Sequence, residues 1–409
     1  MAISAHDNFR VMYPGGAFAL EGTLTLLDGL DHLEDGFVRG LARFPTAARR
    51  LRRAYQELPL VRAQDTMLAG NSMPYTRWLH ATTADDPVWR DQRLLAALER
   101  VDVPVLLHEG WQDRFVDQTL DQYARLRARG VEVALTIGPW NHVQVATKAA
   151  PVTMRETLDW LAVHLAGDAD RVGASERSAR VRIFVTGAER WRELPDWPPP
   201  ARARSFYLQP GGGLAEQEPN QAAEPSRFSF DPADPTPAVG GRVINPSIAG
   251  PRDNRELERR SDVLVFTTSV LTEPLEIVGS PVAEIVHTSD NPYADLFVRL
   301  CEVRANGTSL NLADGFCRLP VENLDPTVRL PLDALAHRLA AGSRLRLQVS
   351  GGAHPRYARN LGTGDDPATA TDLVPSRRTL HHGAGGASRI ILPCHQPGHD
   401  VTPEVTPQG

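Results

Sequence analysis

The chain has 409 residues, of which 42% are hydrophobic and 23% charged, and its formal net charge is −6. This balance is typical of a folded protein and excludes a disordered one. Acidic and basic residues are interspersed, so there is no basic stripe for nucleic acid and no polybasic segment for a membrane surface. We therefore expect a small-molecule partner.

Cysteine use and the N-terminal sequence bear on the compartment. Three cysteines, Cys301, Cys317 and Cys394, are spread over a long chain and do not resemble a disulfide framework. The first residues contain neither a basic start nor an apolar leader, and no later stretch of about 18 apolar residues follows. These features predict a cytoplasmic protein without a membrane segment.

The first quarter of the chain has helical periodicity. Apolar residues recur at helical spacing in segments such as Thr23–Phe37 and Thr46–Tyr55, and prolines divide the pattern into short helices. This predicts a small helical subdomain.

Two compact apolar runs come next, at Val103–Leu107 and Val133–Ile137. A helical pattern at Asp117–Arg129 separates them, and another at Met154–Leu165 follows. The order strand, helix, strand, helix predicts the end of an α/β domain with a parallel sheet.

Beyond about residue 178 the pattern changes to short alternating runs separated by Pro, Gly, Asn and Asp, with few helices. Such spacing is typical of an all-β sandwich or jelly roll. The predicted strands are Val181–Thr186, Ser205–Leu208, Val263–Thr268, Leu275–Val278, Ala283–Thr288, Ala294–Val303, Val328–Pro331 and Leu345–Ser350.

Two polar residues follow the two predicted parallel strands. Asp113 lies just past the first strand, in Gly110-Trp-Gln-Asp-Arg-Phe115, and His142 lies just past the second, in Gly138-Pro-Trp-Asn-His142. Ligand crevices of open parallel sheets lie outside these strand ends, and α/β-hydrolases carry the triad acid and then the histidine in this chain order. The alternative is that Asp113 caps the following helix.

The two motifs resemble the acid and base motifs of the cocaine-esterase and X-prolyl dipeptidyl-peptidase family, also called CocE/NonD hydrolases. Stretches that look like the same family's C-terminal jelly roll are Phe230–Pro237, Asp314-Gly315 with Arg318, Gly342–Val349 and Pro355–Asn360. The resemblance extends from Met1 to about Pro393. It implies that Asp113 is the triad acid and His142 the general base.

The resemblance also implies the architecture: the C-terminal half of an α/β-hydrolase domain with a helical cap, followed by a jelly-roll β-sandwich. The expected divisions are a partial α/β domain at 1–168, with its cap at about 19–100, a linker at 169–178, a jelly roll at 179–394 and a flexible tail at 395–409.

The family's nucleophile is a serine in a Gly-x-Ser-Tyr-x-Gly elbow, and no Gly-x-Ser-x-Gly occurs in this sequence. Met1-Ala-Ile-Ser-Ala resembles the segment that comes after the next strand beyond that elbow. We therefore expect an N-terminal truncation that removes the nucleophile and the oxyanion hole. Ser4 and Ser72, the only serines before Asp113, lack the flanking glycines of an elbow.

The other residues considered for a site are three aromatic residues and two groups of Cys and His residues. Trp111, Phe115 and Trp140 flank the two polar residues and are candidates for an acyl or aromatic pocket, with core packing as the alternative. Cys394-His395 with His399, and His381-His382, lack the spacing of a metal site. No metal or cofactor is predicted.

Two functions remain open. The first is a serine hydrolase acting on esters or X-Pro dipeptidyl amides through an acyl-enzyme, and the second is a non-catalytic remnant whose jelly roll binds a ligand or partner. Two kinds of protein partner stay open: the resemblance implies a second copy of the chain, and loss of the first strands of the sheet favours pairing with another chain, such as a complementing N-terminal fragment.

Overall fold

The computed structural model describes two sheets and a group of short helices. One sheet has four strands and the other has thirteen. The described residues are 5–31, 46–67, 73–167, 179–220, 223–322, 326–383 and 386–395.

Short helices occupy the N-terminal quarter, as the periodicity predicted. They pack around a core that includes the fully buried Phe18, Tyr75 and Trp89. The part of the predicted helix Thr23–Phe37 beyond residue 31 lies outside the described residues. The helices are α1 Asn8–Met12, α2 Leu20–Asp31, α3 46–54, α4 Ala63–Met67, α5 Met73–His80 and α6 Leu95–Leu98.

The predicted strand, helix and strand are present in that order. Strand β1 spans Val105–Gln112, helix α7 spans Val116–Ala128, and strand β2 spans Val133–Asn141. The two strands are parallel, with Val105 opposite Val133. Apolar residues of both strands and of α7 share one core, which explains why each strand reads as a continuous apolar run.

Two further helices follow β2. The short α8 spans His142–Ala146, and α9 spans Ala150–His164. Glu156 anchors α9 to the sheet, accepting hydrogen bonds from Thr136 Oγ1 at 2.6 Å and from an Arg182 amino group at 3.1 Å.

The outer face of α9 is apolar. Met154, Leu158 and Leu161, which recur at helical spacing, are 61%, 63% and 44% exposed. A contiguous exposed stripe of this kind is typical of a surface that another polypeptide covers. No helix within the described ranges combines the length and apolarity that a bilayer span requires.

The strand predicted at Val181–Thr186 is present, but its assignment to the β-rich half is corrected. Strand β3, Val181–Val185, pairs in parallel with β2, and β4, Arg190–Leu194, pairs antiparallel with β3. Its buried apolar residues pack in the core of the α/β sheet. An alternating strand fits either sheet, so its sequence does not decide the partner.

The larger sheet forms a β-rich C-terminal region with its own apolar core. Its pairings are antiparallel except between β6 and β8, and within the described residues its helical segments are 3₁₀ turns. Its strands are β5 Ala201–Gln209, β6 Gly213–Ala215, β7 Ser226–Phe230, β8 Val263–Thr267, β9 Leu275–Gly279, β10 Val282–Ser289, β11 Asp295–Val303, β12 Ser309–Arg318, β13 Thr327–Pro331, β14 Leu335–Leu339, β15 Arg344–Ser350, β16 Ser376–Leu380 and β17 Arg389–His395.

Arg242 joins the β-rich region to the end of β1. Its Nε donates to the Trp111 carbonyl oxygen at 2.9 Å, and one amino group donates to Asp117 Oδ1 at 2.7 Å and Asp333 Oδ1 at 3.1 Å. The other amino group donates to the Ala334 carbonyl oxygen at 2.6 Å. One buried guanidinium group therefore fixes the position of the strand end that precedes Asp113.

A buried ion pair crosses strands β11 and β12. Arg299 donates to both carboxylate oxygens of Asp314, at 2.6 and 2.8 Å, and both side chains are 1% exposed. Arg356 also donates to Asp314. Burial alone would raise the pKa of Asp314, but Arg299 and Arg356 together hold it below its ordinary value.

Candidate active site

Asp113 lies in the turn between β1 and α7 and is completely buried. Its backbone N–H donates to the Gly110 carbonyl oxygen at 3.0 Å, and its Oδ1 accepts from the Phe115 N–H at 2.9 Å. This contact closes the turn before α7, but Asp113 does not cap the helix as the alternative proposed, because the N-cap position is Phe115 and no side chain caps it. This contact uses Oδ1 and leaves Oδ2 for another donor.

Two glycines let β1 and β2 approach closely just before the site. Gly110 and Gly138 are opposite each other, and the pairing shifts register immediately after them. A Cβ atom on Gly110 would lie 2.1 Å from the Trp140 carbonyl oxygen, and one on Gly138 would lie 2.5 Å from the Trp140 ring. Any side chain at these positions would push the two site loops apart.

His142 is the first residue of α8, and the residues around it fix its backbone. The Asn141 side chain accepts from the Gln144 N–H at 3.0 Å, and the Gln144 side chain accepts from the Asn141 N–H at 3.2 Å. This reciprocal capping box satisfies two N–H groups that a helix start leaves without partners. The His142 ring is thereby projected from a defined position at the end of β2.

The structure brings the two predicted residues together. His142 Nδ1 lies 2.9 Å from Asp113 Oδ2, although 29 positions separate them in the sequence. The aspartate side chain is fully buried, whereas 32% of the histidine side chain is exposed. With Nδ1 donating to the carboxylate, Nε2 is the nitrogen that is free to accept a proton, and no described serine is hydrogen-bonded to it.

The three candidate pocket aromatics have different positions. The Phe115 ring contacts the His142 ring edge-on, with centroids 5.3 Å apart, so its pocket role stays a prediction. Trp111 and Trp140 are instead buried in separate apolar clusters, packed against Trp197 and Trp191 respectively. Their burial favours core packing, the alternative for these two tryptophans, and a pocket role for either stays a prediction.

A third titratable residue, Glu109, adjoins the pair on strand β1. It is fully buried, its Oε1 accepts from the Gly110 N–H at 3.1 Å, and its Oε2 accepts from Thr119 Oγ1 at 3.1 Å. Burial, and next the negative charge of Asp113, raise the pKa of Glu109 to about 9. The available signal for this residue was an acidic residue shortly after the apolar run Val103–Leu107 and within the strand.

Glu109 makes stability depend on pH in a defined direction. Its pKa is raised in the folded protein, so the stability it contributes is fully present below the unfolded value of about 4.3 and falls as pH rises toward 9. We expect Glu109→Gln to leave the free energy of unfolding unchanged near pH 4 and to increase it by roughly 2–4 kcal/mol at pH 7. Urea unfolding of both proteins across this pH range measures the difference.

Glu218→Gln is the matched control, because Glu218 is exposed. Its difference from the original protein should stay within about 0.5 kcal/mol at every pH. A Glu109→Gln difference that is equally flat would show that Glu109 is ionised in the folded protein.

The remaining candidates lie outside the pair. Ser4, Ser72 and His399 are outside the described residues. Among the residues that the structure does describe, no group of three or more His, Cys, Asp or Glu side chains is arranged to hold a metal ion.

Loops at the carboxyl edge of a parallel sheet thus hold a buried aspartate against Nδ1 of a partly exposed histidine. This is the geometry that the acid and base have in α/β-type serine hydrolases. Two protein-family models match the chain. The model of the X-Pro dipeptidyl-peptidase S15 family matches residues 1–144, and that of the X-Pro dipeptidyl-peptidase C-terminal non-catalytic domain matches residues 173–391.

Individual proteins with similar sequences include esterases. The chain is 27% identical over 438 residues to cocaine esterase of Rhodococcus sp., a match that covers 96% of this chain and 75% of that protein. It is 23% identical over 356 residues to a putative serine esterase of Mycobacterium bovis, covering 76% of this chain and 52% of the relative.

Solved structures agree on the fold. An aminopeptidase from the marine sediment archaeon Thaumarchaeota archaeon has a TM-score of 0.75 at 22% identity, over 95% of this chain and 71% of that one. An α-amino acid ester hydrolase has a TM-score of 0.70 at 22% identity, over 84% and 64%.

The chain belongs to the CocE/NonD and X-Pro dipeptidyl-peptidase family. The predicted family is therefore confirmed, as are an N-terminal α/β region and a large C-terminal β-sheet region. Family membership supports a serine-hydrolase function.

Proposed function

We propose that this chain supplies the acid, Asp113, and the general base, His142, of a serine hydrolase that cleaves small esters or X-Pro dipeptidyl amides. The observation that carries the proposal is the 2.9 Å contact between Asp113 Oδ2 and His142 Nδ1, with the carboxylate buried and the ring partly exposed. A buried carboxylate that accepts from Nδ1 holds the imidazole in the tautomer whose Nε2 accepts a proton.

The reaction follows from this arrangement. His142 Nε2 takes the proton of the serine hydroxyl as its oxygen bonds to the substrate carbonyl carbon, and Asp113 stabilises the resulting imidazolium. The imidazolium then returns the proton to the leaving alcohol or amine as the scissile bond breaks, leaving an acyl-enzyme. Water then bonds to the acyl carbon as the same nitrogen takes its proton, the bond from that carbon to the serine oxygen breaks, and the proton passes to the serine oxygen, which releases the acid and restores the enzyme.

We also propose the finer architecture that the family resemblance implies. Residues 1–168 form part of an α/β-hydrolase domain with a helical cap at about 19–100, and residues 179–394 form mainly a jelly roll. The short helices α1–α6 and the large antiparallel sheet support these assignments. Pairing of β3 and β4 with β2 indicates that the first residues after 178 complete the α/β sheet.

The nucleophile, in this proposal, is a serine on polypeptide outside these 409 residues. The sequence contains no Gly-x-Ser-x-Gly, and a quarter of cocaine esterase has no counterpart in the match. Among the described strands β1 ends its sheet, and the exposed apolar stripe on α9 lies in the same region. Both features suit the addition of further strands and helices.

The test is to express the gene with its upstream sequence and compare that product with the 409-residue chain. We expect the longer product to hydrolyse p-nitrophenyl butyrate and to be labelled by a fluorophosphonate on a Gly-x-Ser-x-Gly serine, whereas the shorter chain does neither.

Two results would contradict the proposal. Turnover with serine labelling by the 409-residue chain alone would place the nucleophile within it. Absence of a Gly-x-Ser-x-Gly segment upstream in any reading frame would favour the non-catalytic alternative, a β-rich domain that binds a ligand or partner.

A further inference from the structure

A cavity of about 470 Å³ lies where the N-terminal helices, α7 and the β-rich region meet. Its wall combines apolar side chains, such as those of Val243 and Leu330, with several charged ones. Cavities of roughly 300–1,000 Å³ in which a few polar groups stand among apolar ones are typical sites for small organic ligands. This cavity therefore has the size and the lining for a ligand with an apolar body and a polar group.

One cation in this wall has no counter-ion among the described residues. One amino group of Arg114 donates to the Val11 carbonyl oxygen at 2.8 Å, which satisfies one of the five N–H groups of the guanidinium. No described carboxylate forms an ion pair with Arg114, which lines the cavity. The other described arginines of the wall are ion-paired, namely Arg10 with Asp121, Arg242 with Asp117 and Asp333, Arg329 with Glu284, and Arg356 with Asp314.

The surroundings leave the charge of Arg114 incompletely stabilised. Burial lowers its pKa, although the charges of Glu21 and Asp113 oppose this effect. A guanidinium group presents its donors as a planar fork, which matches the two oxygens of a carboxylate. Because the rest of the wall is largely apolar, an organic carboxylate suits the cavity better than an inorganic anion.

Glu21, on α2, lines the same cavity, but its carboxyl group has other donors. Its Oε1 accepts from the Thr25 hydroxyl at 3.1 Å and from the Asn245 N–H at 3.2 Å. Burial raises the pKa of Glu21, an effect that Arg114 opposes, and a raised pKa favours the neutral acid. Glu21 therefore repels an incoming carboxylate less than a fully ionised glutamate would.

We propose that this cavity binds an organic carboxylate, whose charged group pairs with Arg114 and whose apolar body contacts the apolar part of the wall. The guanidinium carbon of Arg114 lies 5.7 Å from the centroid of the Phe115 ring, and that ring contacts His142. The site therefore adjoins the proposed catalytic pair, although neither Asp113 nor His142 lines it. The inference goes beyond the proposed function, because it concerns binding and needs no nucleophile.

Isothermal titration calorimetry of the 409-residue chain with three compounds tests the inference. Phenylacetate has a carboxylate and an apolar body, phenylacetamide has nearly the same shape without the charge, and inorganic phosphate has charge without the apolar body. A hydrogen bond between charged groups is about twice as strong as one between neutral groups. We therefore expect phenylacetate to bind at least about ten-fold more tightly than either of the other compounds.

Two variants locate the carboxylate. Arg114→Gln should weaken the binding of phenylacetate about ten-fold and change that of phenylacetamide less than about two-fold. Gly22→Ala keeps the arginine, but its Cβ atom would lie 2.0 Å from one amino group of Arg114 and displace the flexible end of that side chain. This variant should weaken phenylacetate binding several-fold. Arg90→Gln, which replaces an exposed arginine, is the matched control and should bind all three compounds as the original chain does.

Three results would overturn the inference. Phenylacetate binding no tighter than that of phenylacetamide, the absence of both included, would show that no cation recognises the carboxylate. Phosphate binding as tight as that of phenylacetate would show that the apolar wall plays no part. Unchanged phenylacetate binding in Arg114→Gln, or in Gly22→Ala if the glutamine variant does not fold, would place the carboxylate elsewhere. A failure of ester hydrolysis alters none of these measurements.

Discussion

Replacement of Asp113 by asparagine should lower kcat of the serine-bearing form of the protein about 10⁴-fold with little change in overall structure. The amide fits the same space, but its NH₂ group can donate to His142 Nδ1, which then has to be unprotonated. The ring proton would move to Nε2, the atom that has to accept the serine proton. Hydrolysis of p-nitrophenyl butyrate measures the loss.

Asp102→Asn is the matched control for this substitution, because Asp102 is an exposed aspartate shortly before β1. Its kcat should stay within a factor of about two of the original, since it is remote from the pair. Equal activity of Asp113→Asn and Asp102→Asn would exclude Asp113 as the triad acid.

Replacement of Asp314 by asparagine should lower the free energy of unfolding by about 3–5 kcal/mol. Asp314 accepts from both Arg299 and Arg356, and its side chain is only 1% exposed, so solvent screens the loss of its charge little. Asparagine keeps the shape but leaves two buried guanidinium groups without their shared counter-ion. Urea denaturation at neutral pH gives the change.

An exposed pair provides the comparison. Asp253 contacts Arg255 at 2.6 Å, but 36% of the aspartate side chain and 53% of the arginine side chain are exposed. Asp253→Asn should therefore lower the unfolding free energy by less than about 1 kcal/mol. Similar losses for Asp314→Asn and Asp253→Asn would show that burial does not amplify the inner ion pair.

The location of the Asp113–His142 pair was predictable because the residues immediately before each of them show where it lies in the fold. Each residue follows a short apolar run that reads as a buried parallel strand, and the carboxyl ends of such strands lie at one edge of a sheet. The burial of each strand and the position of its carboxyl end therefore predict that two residues 29 positions apart lie close together, and the structure places them within hydrogen-bond distance.

The supporting residues were not predictable in this way. Glu109 looks like one polar position within a strand, and its raised pKa depends chiefly on how deeply the folded protein buries it. Arg242 lies 131 positions from the carbonyl oxygen that it holds, in a loop without regular structure. Sequence patterns report periodicity along one segment and carry no information about such distant partners.

The surroundings of two tryptophans and the pairing of one strand depend on distant partners in the same way. Trp111 and Trp140 adjoin the site motifs in sequence, but their side chains pack into apolar clusters of the α/β region. The strand at Val181–Val185 alternates as a sandwich strand would, yet its pairing partner is β2. Periodicity predicted that these segments would be buried and left open what they would contact.

The contact of Arg242 with the end of β1 also bears on how this family can be recombined. A C-terminal region transplanted from a relative would dock without that guanidinium unless the donor carries an arginine at the equivalent position. Chimaeras chosen to retain it should preserve the acid loop, whereas those that lose it should require compensating changes at Asp117 and Asp333. Two segments recognised as separate modules should therefore be exchanged as a matched pair.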